Sequence, residues 1–334
     1  MNKNIKILFY ALGVIFFSFT LSACEDEDED ELLGNWVEKS DFKGIRRSNT
    51  VSFVIGETAY VGTGYNGDED EYYTDFYAYN VNTDFWESKS TMPGVGRSAA
   101  VAFAIDDKAY VGLGFDGDEE MGDFYMYDSS SDEWEQIADF GGTARKNAVA
   151  FALNGKGYVG TGDDGNNLND FWEYDPSTDT WTEIPGIGKK KENALVFVIG
   201  EYAYVGTGTD NGTYEEDFWK FDPTLLPEYP WTRVADLDSE DEYDLTRENA
   251  SAFSMNGLGY IMLGSGGTVS RSVWEYDPSA DYWYEKTSFE GAARIDAAAF
   301  SINNRGFVTT GRTGSSYFDD MWEFKPFEEE DEED

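Results

Sequence analysis

Along most of the chain the apolar residues fall into short runs of about five, separated by polar tips, rather than in the three-to-four spacing of an amphipathic helix. Asn147-Ala148-Val149-Ala150-Phe151-Ala152-Leu153 is one such run, rich in small residues, which suits a crowded inner strand. Two polar or glycine residues follow each run of this kind: Gly56-Glu57, Asp106-Asp107, Asn154-Gly155, Gly200-Glu201, Asn256-Gly257 and Asn303-Asn304. These pairs accept the positive φ of two-residue hairpins, so the pattern predicts antiparallel strand pairs. The second strand reads Ala59-Tyr60-Val61-Gly62-Thr63-Gly64, with counterparts at Tyr110 to Gly114, Tyr158 to Gly162 and Tyr204 to Gly208. After a polar loop a third strand alternates, as in Asp170-Phe171-Trp172-Glu173-Tyr174. A turn such as Asp175-Pro176-Ser177-Thr178-Asp179 then leads to a fourth strand opening with tryptophan.

This four-strand unit occurs six times. Its start is marked by a basic residue at Arg47, Arg97, Arg145, Lys191, Arg247 and Arg294, at intervals of 50, 48, 46, 56 and 47 residues. A period in that range belongs to propeller blades, and no second domain fits between the units. Strand-four tryptophans stand at Trp86, Trp134, Trp181, Trp231 and Trp283, one short of six, because the last unit runs from Met321-Trp322-Glu323-Phe324 into acidic residues. The missing strand matches Asn35-Trp36-Val37-Glu38-Lys39-Ser40, which precedes any first strand. The expected fold is therefore all-β, a six-bladed β-propeller whose N-terminal strand completes the last blade and removes the open edge between the ends of the ring.

A glycine ending strand two, followed by a tyrosine seven residues before a tryptophan (Tyr79/Trp86, Tyr127/Trp134, Tyr174/Trp181, Tyr276/Trp283), resembles the kelch repeat over residues 35–327. The sequence departs from that family in replacing its paired glycines with Gly-Thr-Gly or Gly-Leu-Gly, in keeping only Gly264 and Gly311 in the last two units, and in stretching Phe221 to Trp231 to ten residues. Such a resemblance is specific for fold and says little about function. Kelch-like propellers include galactose oxidase-like enzymes, whose copper site needs histidines and a tyrosine–cysteine crosslink. This chain contains no histidine and one cysteine, so copper oxidase chemistry, Ser/His and Cys/His triads and imidazole acid–base catalysis are excluded.

The ends of the chain read differently. Lys3 and Lys6, an apolar run from Ile7 to Phe19 too short to span a bilayer, and Leu21-Ser22-Ala23 before Cys24 form an export signal over residues 1–23. Leu-Ser-Ala-Cys resembles the bacterial lipobox, which implies lipidation at Cys24, a tether to the membrane through that lipid alone, and an envelope location, outer membrane or cell surface. The acidic block Glu25 to Glu31 is expected to form an extended stalk over 24–34, serving as an export signal or a bare spacer, and residues 328–334 a disordered acidic tail.

The chain carries a formal net charge of −43. Without the two lysines of the first 23 residues and the seven acids of each terminal block, 22 basic residues face 53 acidic ones. Such a body repels phosphate backbones, so nucleic acid is not an expected partner.

By near-symmetry the six basic residues Arg47, Arg97, Arg145, Lys191, Arg247 and Arg294 should ring one mouth of the central channel, and in kelch proteins arginines here often contact ligands. The alternative is that each pairs with nearby acids or carbonyls and holds blades together. Up-and-down topology puts the loops between strands two and three on the same face, giving a rim of Tyr65, Asp68, Tyr72, Tyr73, Asp116, Asp118, Asp163, Asp164, Asp210 and Tyr214. Tyrosines there are candidates to stack on sugars. Asp116, Asp118, Asp163 and Asp164 faintly echo calcium loops without EF-hand spacing, against their commoner role as turn formers, and no cofactor is expected. The strand-three and strand-four tryptophans are expected to pack between blades. Blade four precedes an odd acidic loop, Asp236 to Thr246.

The expectation is a monomeric, tethered binding protein that presents its loop face to a glycan, peptide or protein, and not an enzyme. The alternative is a metal-free sugar-acid mutarotase or epimerase resembling the kelch-like sialate mutarotases, using arginine for the carboxylate and Glu, Asp or Tyr as acid–base.

Overall fold

In the computed structural model, residues 32–237, 245–329 and 331 are described. The signal over 1–23, Cys24, the acidic block 25–31, the middle of the 236–246 loop and the last residues of the tail lie outside them.

Six four-stranded antiparallel sheets form the blades. The first strands are Val51–Ile55, Val101–Ile105, Val149–Leu153, Leu195–Ile199, Ser251–Met255 and Ala298–Ile302. Each turns back through the expected two-residue tip, whose first residue has positive φ in all six cases. The third strands are Phe76–Asn80, Phe124–Asp128, Phe171–Asp175, Phe218–Phe221, Val273–Asp277 and Met321–Lys325. The fourth are Phe85–Lys89, Glu133–Gln136, Thr180–Ile184, Trp231–Arg233 and Tyr282–Lys286, and for blade six Asn35–Lys39. That last strand pairs antiparallel with Met321–Lys325, Trp36 opposite Phe324 and Glu38 opposite Trp322, so the ring closes as the repeat count requires.

Closure reaches further along both chain ends than the sequence implies. The Gly34 amide donates to the Glu328 carbonyl at 2.8 Å, and the Leu32 carbonyl accepts from the Thr287 hydroxyl at 2.8 Å. Leu32 to Gly34 and Glu328 therefore belong to the propeller, which corrects the boundaries drawn for stalk and tail. The two ends brace each other because the closing strand brings them side by side.

The first strands are innermost and line the channel with small side chains, among them Ala102, Ala104, Ala150, Ala152, Ala252 and Ala299, around a cavity of about 350 Å³. Six apolar clusters fill the gaps between neighbouring blades. At one recurring place the approach leaves room only for glycine, at Gly157, Gly259 and Gly306, or alanine, at Ala59, Ala109 and Ala203. A Cβ at Gly157 would lie 2.2 Å from the Phe103 ring of the preceding blade, an overlap no packed side chain tolerates.

On the face carrying the hairpin tips, the conserved spacing within the repeat acquires a reason. Tyr79, Tyr127, Tyr174 and Tyr276 donate their hydroxyls to Asp84, Asp132, Asp179 and Asp281 at 2.7–2.8 Å. Those carboxylates also accept backbone N–H from the preceding blade, at Ser40, Ser90, Ala138 and Ala235. Trp86, Trp134, Trp181 and Trp231 donate their indole N–H to carbonyls of the same exits, Ser40, Ser90, Ala138 and Pro185. The tryptophans thus pack between blades as expected, and the tyrosine seven residues earlier works with them. Among the described residues no helix is long and apolar enough to cross a membrane.

Candidate functional site

The six basic side chains do form a ring, but not one facing a ligand. Arg47, Arg97, Lys191 and Arg294 are 0% exposed, Arg145 1% and Arg247 2%. Arg145 is typical: it donates to the Thr161 carbonyl at 3.0 Å and grips Asp170 with both terminal nitrogens at 2.7 and 2.9 Å. Arg47 holds Asp75, Arg97 holds Asp123 and Arg294 holds Asp320 in the same way, and Lys191 meets Asp217 through its single ammonium. In blade five Arg247 donates to the Leu263 carbonyl and to Ser272, which stands where the other blades have aspartate.

The backbone of each basic residue completes the device. Its carbonyl accepts from a glycine of the preceding blade, Gly64 to Arg97, Gly114 to Arg145, Gly162 to Lys191, Gly208 to Arg247, Gly264 to Arg294 and Gly311 to Arg47, at 2.7–3.1 Å. Main chain bonded to one blade and side chain to the next make the residue a rivet. The expectation that Arg47, Arg97, Arg145, Lys191, Arg247 and Arg294 contact a ligand is corrected accordingly: geometry gives them the blade-holding role, because no guanidinium reaches solvent. Burial raises the carboxyls of Asp123, Asp170 and Asp320, and the facing guanidiniums more than offset it, holding all three below the usual range.

Two residues after each rivet the chain turns into the channel mouth. Asn49, Ala99, Asn147, Asn193, Asn249 and Asp296 all have φ between 51 and 59°. Each amide donates to the corresponding carbonyl of the preceding blade, Asn49 to Asp296 closing the circle, at 3.0–3.3 Å. Six backbone hydrogen bonds therefore run head to tail around the axis as a collar. Asparagine tolerates the left-handed region better than other side chains with a Cβ, which explains its recurrence. The sequence signal was a basic residue followed two places later by Asn, present in four of the six units and passed over in reading the basic residues alone.

Above the collar lies a vestibule of about 260 Å³ lined by Asn49, Ala99, Phe115, Lys146, Asn147 and Arg312, among others. Its charges are paired. Lys146 meets Glu120 at 2.8 Å, and Arg312 meets Asp296 at 3.1 Å. The Asp296 side chain is 4% exposed, and burial pushes its carboxyl up to about 6 despite the neighbouring Arg312.

Of the rim candidates, Tyr65 and Tyr72 come together. Their rings lie 4.5 Å apart on a short ribbon, Tyr65–Asn66 against Glu71–Tyr72. Tyr317 of blade six meets Tyr65 edge-on at 6.4 Å, and Phe115 of blade two meets Tyr72 edge-on at 6.3 Å. These four half-buried rings form an arc over three blades, ending where Lys146 sits 4.5 Å above Phe115. Phe115, Tyr317, Lys146 and Arg312 escaped the sequence reading because nothing in their own segments marks them; only ring closure makes blades six and one neighbours.

Tyr73 is not on the rim. It is buried, with its ring 3.7 Å beneath the Arg47 guanidinium. The aspartates serve their own loops: Asp116 accepts from the amides of Asp118 and Glu119, Asp163 from Gly165, Asp164 from Thr143 and Asn166, and Asp210 from the Asn211 side chain. Asp68 and Asp118 are exposed, and Tyr214 stands half-buried on the matching ribbon of blade four. Among the described residues no three of Cys, Asp and Glu gather as a cation site.

Residues 36–195 match the kelch-repeats domain described for KLHDC2, KLHL20 and DRC7. The solved structure titled "Structure of YjhT" superposes with a TM-score of 0.72 at 17% identity, over 84% of this chain and 95% of that one. The chain has the fold of a six-bladed β-propeller, and kelch repeats are matched over residues 36–195. No curated protein matches it. Since 902 solved chains match this fold, the kelch scaffold alone selects no activity, and the mouth of this propeller must carry the functional argument.

Proposed function

We propose that this kelch propeller is a binding protein of the bacterial envelope, tethered through Cys24, that takes a glycan or peptide on its loop face at the channel mouth. The observation carrying this reading is the Tyr317, Tyr65, Tyr72, Phe115 arc beside a vestibule lined by carboxamides. Packing within the blades does not call for these rings. They stand outside the repeated pattern, on ribbons at the mouth, and half-exposed aromatics next to polar groups are what ligand sites use.

The test is binding of full-length protein, held in detergent, to glycan and peptide arrays. Tyr65→Ala combined with Tyr72→Ala should weaken the signal by about tenfold or more with the thermal midpoint little changed. An array-wide absence of ligands for the wild type sinks the proposal. Labelling with a radioactive fatty acid should mark the wild type and not Cys24→Ser, and surface proteolysis of intact cells tells a periplasmic from an exposed location.

One observation favours a second reading. A carboxyl raised to about 6 at the mouth, Asp296, is suited to acid–base exchange near neutral pH, as opening of a sugar ring would need. Anomer interconversion followed by proton NMR decides it: rates equal to buffer in the presence of wild type, or unchanged by Asp296→Asn, end this alternative.

A further inference from the structure

Resting on the mouth as the binding face, we infer that Ala99 is the seat of the ligand and that the ligand is an uncharged hexopyranose ring. The collar places asparagine or aspartate at five of six equivalent positions, all in the left-handed region; Ala99 alone has only a methyl there, at φ 51°. Alanine gains nothing from that conformation. It lacks the short polar side chain that makes asparagine tolerable, so the exception is a local conflict of the sort that concentrates at functional sites.

The gap lies where the aromatic arc ends. Ser98 and Phe115 exchange two backbone hydrogen bonds at 2.9 Å, which fixes Phe115 across from the residue preceding Ala99. Asn49 and Asn147 flank the gap along the collar. The arc itself rests on glycine seats. A Cβ at Gly117 would lie 2.9 Å from the Tyr72 ring, and one at Gly67 would lie 2.7 Å from the Tyr317 hydroxyl. Loop tips that turn on glycine thus hold rings in place around a cavity that one missing side chain has opened.

The chemistry of the walls selects the occupant. A pyranose offers a C–H face to aromatic rings and adjacent hydroxyls to groups that both donate and accept, which carboxamides such as Asn49 and Asn147 do. The vestibule, about 260 Å³, is smaller than the roughly 300–1,000 Å³ of pockets for drug-sized ligands and fits one ring rather than a folded segment. Among the described residues lining the vestibule the cations are Lys146 and Arg312, already joined to Glu120 and Asp296, so the vestibule offers no spare cation to an acidic sugar, and the net charge of −43 opposes one.

Calorimetric titration of full-length protein in detergent with methyl glycosides of neutral hexoses and N-acetylhexosamines tests the assignment, alongside a peptide array. Ala99→Asn restores the collar pattern. It should raise the thermal midpoint by about 1–2 °C while weakening the glycoside by about tenfold or more. Ala99→Gly relieves the backbone and keeps the space, and its affinity should stay within about twofold of wild type. A gain in stability together with a loss of binding is not what a structural role produces.

The inference falls if Ala99→Asn binds as wild type, if both variants lose the glycoside, or if no methyl glycoside binds. A peptide ligand without any glycoside overturns the inference and leaves the binding face standing. Absence of both kinds of ligand overturns both.

Discussion

Two rings of polar residues, two positions apart in sequence, circle the same axis and behave in opposite ways. The rivets are buried in all six blades, five of the six hold a carboxylate, and Arg247 holds the Ser272 hydroxyl at the same place. The collar opens on a cavity, and its run of four asparagines is interrupted by Asp296 and by Ala99, which has only a methyl. Regularity with burial marks what holds the blades. Irregularity with access marks where the propeller departs from its own symmetry, and a ligand that is not six-fold symmetric needs such a departure.

The sharpest way to break this comparison is Arg145→Ala. It leaves the partly exposed Asp170 with the Trp172 indole N–H and solvent in place of the guanidinium and should cost about 3 kcal/mol in denaturant unfolding, so loss of ligand in that variant would report on fold. A cost below about 1 kcal/mol would make the rivets expendable and reopen them as ligand contacts. Next, Tyr65→Ala with Tyr72→Ala should weaken ligand by about 1–3 kcal/mol, measured by titration, while moving the unfolding midpoint far less than the rivet change does.

The two rings should also answer to pH with opposite signs. Asp123, Asp170 and Asp320 are depressed below their ordinary 3.8, so their contribution is present above that value and lost as pH falls through the lower folded value. Asp296 is raised to about 6, so the folded protein keeps a proton that the unfolded chain releases near 3.8; its contribution is present below 3.8 and lost as pH rises through 6. The thermal midpoint should therefore peak near pH 3.8 and fall from there towards pH 6, and Asp296→Asn should flatten that fall, an effect of about 3 kcal/mol at neutral pH. Smallest of the set, Asn147→Ala removes an amide that donates to Glu192 at 3.0 Å and puts alanine at φ 56°, for a loss of about 1 kcal/mol in chemical denaturation.

The fold was legible because repetition records burial: six turns, five tryptophans and a displaced strand suffice to place every blade. The site was legible only in part. Tyr65 and Tyr72 stood out as aromatics in a polar loop, but Tyr317 is 245 residues from Tyr72 and becomes its neighbour's partner only when the ring closes. The basic residues misled for a physical reason. Near-symmetry gives the ring but not the direction each side chain takes, and that direction was set by aspartates such as Asp75 and Asp123, whose place beside strand three reads as an ordinary turn.

The closing strand imposes an order in time. Asn35–Lys39 leaves the ribosome before any blade exists, yet its partner, Met321–Lys325, follows only after the first five blades have been made. While those five blades are made the strand must wait without pairing elsewhere, and its length of five residues, with Glu38 and Lys39 at the end, makes it a poor template for the wrong neighbour. Blades one to five can assemble as they emerge, while the sixth waits for a loop closure across nearly the entire chain, so a truncated product is left with both flanks of the ring open and nothing to seal them.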